Sequence, residues 1–455
     1  MPEIAARALS PSQGAARALV LGLGKSGEAV ARHLLARGST VTVVDDAPGD
    51  GSRGAASDLG LDLVEHPSVD ELALLVVRAD VVVPSPGVPA AHPVFGLART
   101  AGVPVRGEVE LAGRWATQPM VAVTGTNGKT TVTTLIAQML SASGVRAVAA
   151  GNIGLPLCDA VTTDVEVVVA EVSSFQLAFS ESFHPAVAVW LNLAADHLDW
   201  HGDLGSYAAA KARIWAHQGP GDVAVVNADD PVVMAEAARA PSRVVTFGLD
   251  RPADFSVEGG WLRVPGGALV EVARLPRSLP HDVANALAAS AAALAAGASP
   301  DGVRSTLAGF AGLPHRLTLV GYGNGVRWFD DSKATNPHAT VAAVRGFDSV
   351  VLLAGGRNKG LDLSALAAVA DRIRAVVAIG EAAPEVAAAF SGLRPVAVAG
   401  SMAEAVATAA TAARPNDVVL LSPGCASFDW YRSYAERGDD FAAAVNALLE
   451  TRHAH

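Results

Sequence analysis

Cysteine is nearly missing: only Cys158 and Cys425 occur, far apart and with no C-x-x-C pair. Such usage argues against a disulfide framework and fits a reducing cytoplasm. Long apolar runs are missing too. The most apolar segment, Val283 to Ala298, is an alanine-rich helical pattern interrupted by Asn285 and Ser290, so no bilayer-spanning helix is expected. Met1 to Gln13 carries Glu3 and Arg7 and no long apolar core, so no secretion signal is read there. Positive charge is short: 34 Lys and Arg against 45 Asp and Glu leave a net charge of −11. With no basic run and no aromatic-basic stripe, nucleic acid is not an expected partner. An anionic substrate would have to be met by cations gathered in the site itself.

What is abundant is material for a core. The chain has 455 residues, 51% hydrophobic and 17% charged, which is too long for one core and points to two or three domains. Its central stretch is Val121 to Thr131, V-A-V-T-G-T-N-G-K-T-T. An apolar strand pattern (Met120 to Val123) is broken by Gly125 and Gly128, and Lys129, Thr130 and Thr131 open a helical pattern. Strand, glycine turn and helix start form the arrangement that cradles a polyphosphate. Here Gly125, Thr126, Asn127 and Gly128 would offer backbone N–H groups, Lys129 would neutralise the outer phosphates, and Thr130 or Thr131 would ligate Mg²⁺. The full eight-residue pattern wants glycine at position 123, where this chain has Val123. A plain solvated glycine turn is the alternative.

Before this stretch, Arg17 to Gly24 reads as a strand ending in G-L-G-K-S-G, followed by a helix pattern and a second strand ending in Asp45 and Asp46. That is a dinucleotide fingerprint. It fits a UDP-type ligand, an NAD-dependent oxidoreductase, or a purely structural βαβ unit. Strand Asp80 to Val83 ends in the rigid turn P-S-P-G-V-P, which contains Ser85, Pro86 and Gly87. Ala116 to Pro119 reads as a linker. After the phosphate-loop helix come G-N-I-G (Gly151 to Gly154), a β-branched strand Val165 to Val172 with Glu171 near its end, and N-L-A-A-D-H-L-D (Asn192 to Asp199). An acid at the tip of a buried strand is the usual way to reach a nucleotide's Mg²⁺. Lys211 lies on a helical segment, Leu204 to Trp215, where a solvated lysine is the plain alternative. Asn285, near the start of the alanine-rich helix, reads equally as a cap or a nucleotide contact. The last third repeats the α/β scheme, with polar loops at strand ends: D-D-S-K-A-T-N-P, A-G-G-R-N-K-G and S-P-G-C-A-S-F-D. In an open α/β sheet that edge is where ligands bind.

In this order, T-G-T-N-G-K-T-T, G-N-I-G-L-P, E-V-S-S-F-Q-L, D-H-L-D with A-K-A-R-I, G-L-P-H-R, D-D-S-K-A-T-N and S-P-G-C-A-S-F-D resemble the bacterial Mur ligases, over roughly Ala18 to Phe441. The E-V-S-S-F-Q-L and D-S-K-A-T-N forms are most similar to the members that add D-glutamate. The resemblance implies three α/β domains: a Rossmann-like one (1–117) for the UDP substrate, a P-loop-type ATPase (118–312) for ATP and Mg²⁺, and a Rossmann-like one (313–455) for the amino acid. It implies an ATP-driven amide bond, made through an acyl phosphate, between UDP-N-acetylmuramoyl-L-alanine and D-glutamate in peptidoglycan synthesis. A cytoplasmic monomer is expected.

By the same resemblance Lys25, Ser26, Asp45, Asp46, Ser85, Pro86 and Gly87 face UDP, and Asn152 faces the muramoyl peptide. Thr130 and Glu171 would hold one Mg²⁺, and His197 would help hold a second. Lys211 sits where the family carries a carbamylated lysine. Asn285, Arg316 and Asp331 match the adenine and ribose end, and Arg316 can also reach the γ-phosphate. Lys333, Thr335, Lys359 and Ser427, with backbone near Phe428 and Tyr434, match the D-glutamate positions. This chain departs from the family in having Arg357 and Asn358 where an acidic residue is frequent, and Tyr434 where phenylalanine is common. The competing readings are a sister or folylpolyglutamate-type ligase, a non-catalytic nucleotide-binding protein, and the oxidoreductase.

Overall fold

The computed structural model describes residues 16–453, with side chains to 450. The reading of Met1 to Gln13 lies outside the described residues. Contacts divide the chain into two compact units. The first holds the chain up to Leu193, Trp200–Leu275 and Ala284–Gly309; the second holds Ala194–Asp199, Pro276–Val283 and the chain from Phe310 onward.

The first unit opens with β1 (Arg17–Leu21), β2 (Thr40–Asp45), β3 (Leu63–Glu65) and β4 (Val81–Pro84), which form a parallel sheet in the order β3-β2-β1-β4. The order reverses at β1, so a crevice opens between the carboxyl ends of β1 and β4. Strand alternation splits the apolar residues between two faces. Ala18, Val20, Val41, Val43, Val81 and Val83 pack on one side, and Leu19, Leu21, Val44 and Val82 on the other.

The same unit continues with β5 (Met120–Thr124), β6 (Ala147–Gly151), β7 (Val167–Glu171), β8 (Val187–Trp190), β9 (Val223–Asn227) and β10 (Arg243–Phe247). They form a parallel sheet ordered β10-β9-β8-β5-β7-β6, whose order reverses at β5. Every residue of β5 is buried, so the strand reads as a continuous apolar run with no alternation. β11 (Ser256–Glu258), β12 (Trp261–Val264) and β13 (Gly267–Glu271) add a small antiparallel sheet.

The second unit carries β14 (Thr318–Gly323), β15 (Val326–Asp330), β16 (Val350–Gly355), β17 (Ile373–Ile379), β18 (Val396–Ala399) and β19 (Val418–Gly424), ordered β14-β15-β19-β16-β17-β18. Only β14 runs antiparallel to its neighbour. Val350, Leu352, Val376 and Leu420 fill one face, and Val351, Leu353, Val377 and Leu421 the other.

The α/β class and parallel sheets agree with the sequence reading. Several local readings shift. The strand read from Val165 to Val172 is β7, which starts at Val167 because Thr163 and Asp164 sit in a turn. The helix read as Leu204 to Trp215 ends at Ala212 and tightens into a 3-10 turn, Arg213–Trp215. Helix Val69–Arg78 went unread although Ser68 and Glu71 form a reciprocal capping box at its start. Among the described residues no helix is long and apolar enough to cross a membrane.

Gly27 shows why the first glycine loop needs its third glycine. A Cβ there would lie 2.0 Å from the Gly22 carbonyl oxygen and 2.7 Å from Ser85 Oγ. Gly27→Ala should therefore force the loop off its strand and cost about 1–3 kcal/mol. Chemical denaturation would show this as a lower midpoint; an unchanged midpoint would mean the loop yields freely.

Candidate functional site

At the β1–β4 crevice, Gly22 adopts φ +78° and its carbonyl accepts a hydrogen bond from Ser85 Oγ at 2.8 Å. This bond ties the first glycine loop to the P-S-P-G-V-P turn of Ser85, Pro86 and Gly87. Asp45 closes the loop from the other side: its carboxylate accepts from Leu23 N at 3.2 Å and from Ala47 N at 3.0 Å. Asp46 pairs with His92 Nε2 at 2.7 Å. His92 Nδ1 accepts from Val94 N, so the ring proton sits on Nε2 and is donated to Asp46. Lys25 is exposed and Ser26 half-buried on the first turn of helix Lys25–Ala36.

The phosphate loop leaves β5 through Gly125 (φ +151°) and Gly128 (φ +87°), conformations that favour glycine. Helix Lys129–Ala142 follows at once, so its free N–H groups and partial positive charge face the loop. Asn192, just beyond β8, clamps the loop. Its Oδ1 accepts from Asn127 N at 2.9 Å and its Nδ2 donates to Asn127 O at 3.1 Å. Its carbonyl takes Thr126 N at 3.1 Å. Asn285 lies against the loop as well: a Cβ on Gly128 would come within 2.6 Å of its Oδ1.

Lys129 Nζ donates to the carbonyls of Gly125 (2.9 Å) and Thr126 (3.0 Å). Lys211, 1% exposed, donates to the same Gly125 carbonyl at 2.9 Å and lies 4.5 Å above the Tyr207 ring. Tyr207 Oη in turn meets Thr126 Oγ1 at 3.3 Å. Two ammonium groups thus converge on one carbonyl oxygen beside a helix N-terminus, where like charges repel and an anion would be held.

Glu171 ends β7 next to β5, opposite Val123 in the strand register. It is 2% exposed; Asn152 Nδ2 donates to its Oε1 at 2.8 Å, and its Oε2 has no hydrogen-bond partner among the described residues. An orphaned carboxylate oxygen beside a phosphate loop suits a hard cation. Thr130 and Thr131, on the first helical turn, are half-buried. Among the described residues no three His, Cys, Asp or Glu cluster to hold a metal. Mg²⁺ needs no such cage, since it binds one or two protein oxygens and completes its shell with water and phosphate.

His197 belongs to the second unit. Its backbone is left-handed (φ +55°), and its N–H donates to Asp196 Oδ1 at 3.0 Å. Asp196 is 4% exposed; Oδ2 accepts from Asn336 Nδ2 at 3.1 Å, and Lys359 Nζ lies 4.0 Å from Oδ1. Arg357 and Asn358, the departures around Lys359, are engaged: Arg357 forks onto Glu381, and Asn358 Nδ2 donates to Glu385 and to Leu361 O. Lys333 Nζ sits 3.7 Å over the Tyr434 ring. Arg316 and Thr335 are half-buried, Ser427 is buried and Phe428 exposed. Arg437, 1% exposed, donates to Ser332 Oγ and to the carbonyls of Ser332, Cys425 and Ala426. It staples the D-D-S-K loop to the S-P-G-C-A-S loop, and burial lowers its pKa to about 10. Burial raises Asp331 to about 7, against the Ser422 hydroxyl that donates to it at 2.8 Å and the charge of Arg316. Burial also lifts the Cys425 thiol to about 12 and Cys158 well above its usual value, so both stay protonated.

Asn192, Asp196 and Arg437 escaped the sequence reading. The first two stand inside N-L-A-A-D-H-L-D, but nothing in the spacing says which polar groups turn inward.

Three family models match consecutive stretches: the Mur ligase MurD-like N-terminal domain (residues 16–107), the Mur ligase middle domain (123–293) and the Mur ligase glutamate ligase domain (315–425). A Frankia casuarinae protein named UDP-N-acetylmuramoylalanine–D-glutamate ligase is 47% identical over 443 residues, 94% of this chain and 93% of that protein. One of the same name from Desulfosudis oleivorans is 45% identical over 452 residues, 96% and 98% of the two chains. Among solved structures, UDP-N-acetylmuramate–alanine ligase from Thermotoga maritima superposes with TM-score 0.60 at 20% identity, covering 95% of this chain and 100% of that one. MurF from Acinetobacter baumannii gives TM-score 0.61 at 19% identity, covering 94% and 93%.

Two outcomes follow from this geometry. Asn192→Ala removes both side-chain bonds to Asn127 and should weaken binding of a nucleoside triphosphate about tenfold, measured by titration calorimetry; wild-type affinity would show that the loop holds its own shape. Asp331 binds a proton more tightly folded (about 7) than unfolded (about 4), so its stabilising contribution is complete below about pH 4 and is lost as pH rises to about 7. Asp331→Asn should flatten that part of the stability profile by on the order of 4 kcal/mol, read from urea unfolding at stepped pH. An unaltered profile would place the proton elsewhere.

Proposed function

The chain belongs to the Mur ligase family, and from that premise we propose that it joins D-glutamate to UDP-N-acetylmuramoyl-L-alanine at the expense of ATP, in peptidoglycan synthesis. The observation that carries the site assignment is the convergence of Lys129 and Lys211 on the Gly125 carbonyl beside a helix N-terminus.

In this reading, residues 1–117 bind the UDP moiety, 118–312 bind ATP and Mg²⁺, and 313–455 bind the amino acid. The alanine carboxylate attacks the γ-phosphorus, the bond to the bridging oxygen breaks, and ADP leaves behind an acyl phosphate. The D-glutamate amine attacks the acyl carbon, loses its proton, and the tetrahedral intermediate expels phosphate to leave the amide. The first step brings an anion to a polyanion, and two unit charges 4 Å apart repel by about 4 kcal/mol at an effective dielectric near 20. Catalysis is then largely positioning and charge compensation. Lys129 and the N–H groups at the start of helix Lys129–Ala142 hold the outer phosphates, with Asn285 against the loop, while the Thr126 and Asn127 N–H groups, already taken by Asn192, shape it; Arg316 and Asp331 serve the nucleoside. Bound Mg²⁺, one ion on Thr130 and Glu171 and a second aided by His197, would offset phosphate charge. Lys211 as an ammonium repels Lys129; as a carbamate it would attract Lys129 and could ligate metal, and this reading takes it as carbamylated. Lys25, Ser26, Asp45, Asp46 and the Ser85–Gly87 turn serve UDP, and Asn152 serves the muramoyl peptide. Lys333, Thr335, Lys359, Ser427, Phe428 and Tyr434 serve the two D-glutamate carboxylates. The proposal includes a monomer acting in the cytoplasm, where ATP is supplied.

Phosphate release from ATP and Mg²⁺ tests the reaction. It should require both UDP-N-acetylmuramoyl-L-alanine and D-glutamate, and L-glutamate or L-alanine should not substitute. Release with another amino acid would move the chain to a sister activity, and no release with ATP bound would leave a nucleotide-binding protein. Lys211→Ala should lower turnover by about 100-fold or more, with partial rescue by a short-chain carboxylate. Wild-type turnover in that variant would remove Lys211 from the metal site.

A further inference from the structure

A pocket of about 200 Å³ lies within the second unit, at the amino edge of its sheet. Val326 and Trp328 of β15 give it a buried apolar side. Ala410 and Ala413, at the end of helix Met402–Ala412, and Leu449 of helix Tyr434–His453 complete the apolar wall. The D-D-S-K and S-P-G-C loops lie at the opposite edge: Val326 opens β15 and Asp330 ends it, about 13 Å further along the strand. The pocket shares no residue with the phosphate loop or with the positions assigned to D-glutamate.

The sequence explains both the room and its rigidity. Alanine at 410 and 413 leaves space that a larger side chain would fill. Gly321 and Gly323 let Leu449 come close: a Cβ on either would lie 2.7 or 2.5 Å from a Leu449 methyl carbon. One wall is the β14–β15 hairpin turn, where Asn324 and Gly325 both take positive φ (+54° and +75°), the two-residue turn that Asn-Gly favours. The connection Arg414-Pro415-Asn416 is bonded to that turn, since Asn416 N donates to Gly325 O at 2.7 Å. The walls are thus fixed before any ligand arrives.

Two polar side chains, Asn324 and Arg414, stand at this pocket, and both are exposed. Arg414 is the one charged side chain among the described residues that line it. Asp417, three residues on, does not neutralise it: that carboxylate is forked by Arg374 and takes only the backbone N–H of Arg414, at 2.7 Å. An uncompensated guanidinium beside an apolar pocket selects a ligand with an apolar body and one anionic end. We propose that this pocket binds a small apolar monocarboxylate, one ring in size. The ring lies against Val326, Trp328 and Leu449, and the carboxylate meets the Arg414 guanidinium, with the Asn324 amide as a second donor. The size suits it, since an apolar cavity of about 150 Å³ holds benzene. This site is independent of the ligase reading.

Benzoate is the probe and benzamide its uncharged counterpart, each titrated into the full chain and followed by ligand NMR. Wild type should bind benzoate with Kd at or below about 1 mM, and benzamide at least about threefold more weakly. Arg414→Ala should weaken benzoate by at least about threefold and leave benzamide unchanged. Ala413→Leu fills the pocket and should abolish binding of both. Saturating D-glutamate should leave the benzoate affinity unaltered. No benzoate binding below about 10 mM overturns the proposal, and so does benzoate affinity that survives Ala413→Leu. Equal affinity for the two probes overturns it too, because the guanidinium would then read nothing. Displacement of benzoate by D-glutamate would put the probe in the amino-acid site and overturn it as well. Arg414→Ala changes an exposed side chain, so it decides the matter even where Ala413→Leu fails to fold: an unchanged benzoate affinity in that variant removes the proposed contact.

Discussion

The Gly125 carbonyl is the point on which the first unit's site depends. It accepts from Lys129, which is local, and from Lys211, which is distant in sequence and almost fully buried. An ammonium buried that deeply is costly unless paired, and the Gly125 carbonyl and the Tyr207 ring are among the groups that meet it. A second cation sharing the same oxygen adds repulsion. Such an arrangement is poorly suited to stability alone and well suited to gathering anionic groups. In a chain with net charge −11, local concentration of positive charge is the one way to attract a polyanion against the overall field.

Holding that arrangement takes more than the glycines. Asn192 fixes Asn127 from both sides, Asn285 abuts Gly128, and Tyr207 couples Thr126 to the helix that carries Lys211. Each contact comes from a different strand end or helix. The parallel sheet explains why they meet: β5 and β8 are neighbours at the point where strand order reverses, so the segments after both strands emerge side by side.

This also explains what could be seen in advance. The phosphate loop, Glu171 at its strand tip and the α/β alternation are written in local pattern: apolar runs, glycine spacing, a lysine at a helix start. Asn192 and Arg437 are not, because their roles lie in bonds to backbone atoms brought near only by the folded sheet. Asp45 shows the converse. The fingerprint position was legible, but its carboxylate is already occupied by Leu23 N and Ala47 N, so part of its work is to shape the loop. Short helices such as Val69–Arg78 were overlooked because an apolar stretch that brief has no distinctive period, although its capping box was a readable start signal.

Unsatisfied buried oxygens separate structural acids from those kept for a ligand. Glu110 is buried like Glu108, yet it accepts from Glu181 N, Ser182 N, Ser182 Oγ and Arg114, and its pKa is lowered even though burial pulls the other way. It is fully used in packing one segment against another. Glu108 and Glu171 each keep one oxygen paired and one unpaired. For Glu108, burial wins and the pKa rises, against the Ser26 hydroxyl and the Leu157 and Cys158 amides. Packing can satisfy an acid in this fold completely, as Glu110 demonstrates. In Glu108 and Glu171 packing leaves one buried oxygen unpaired, at a cost to the chain's own stability.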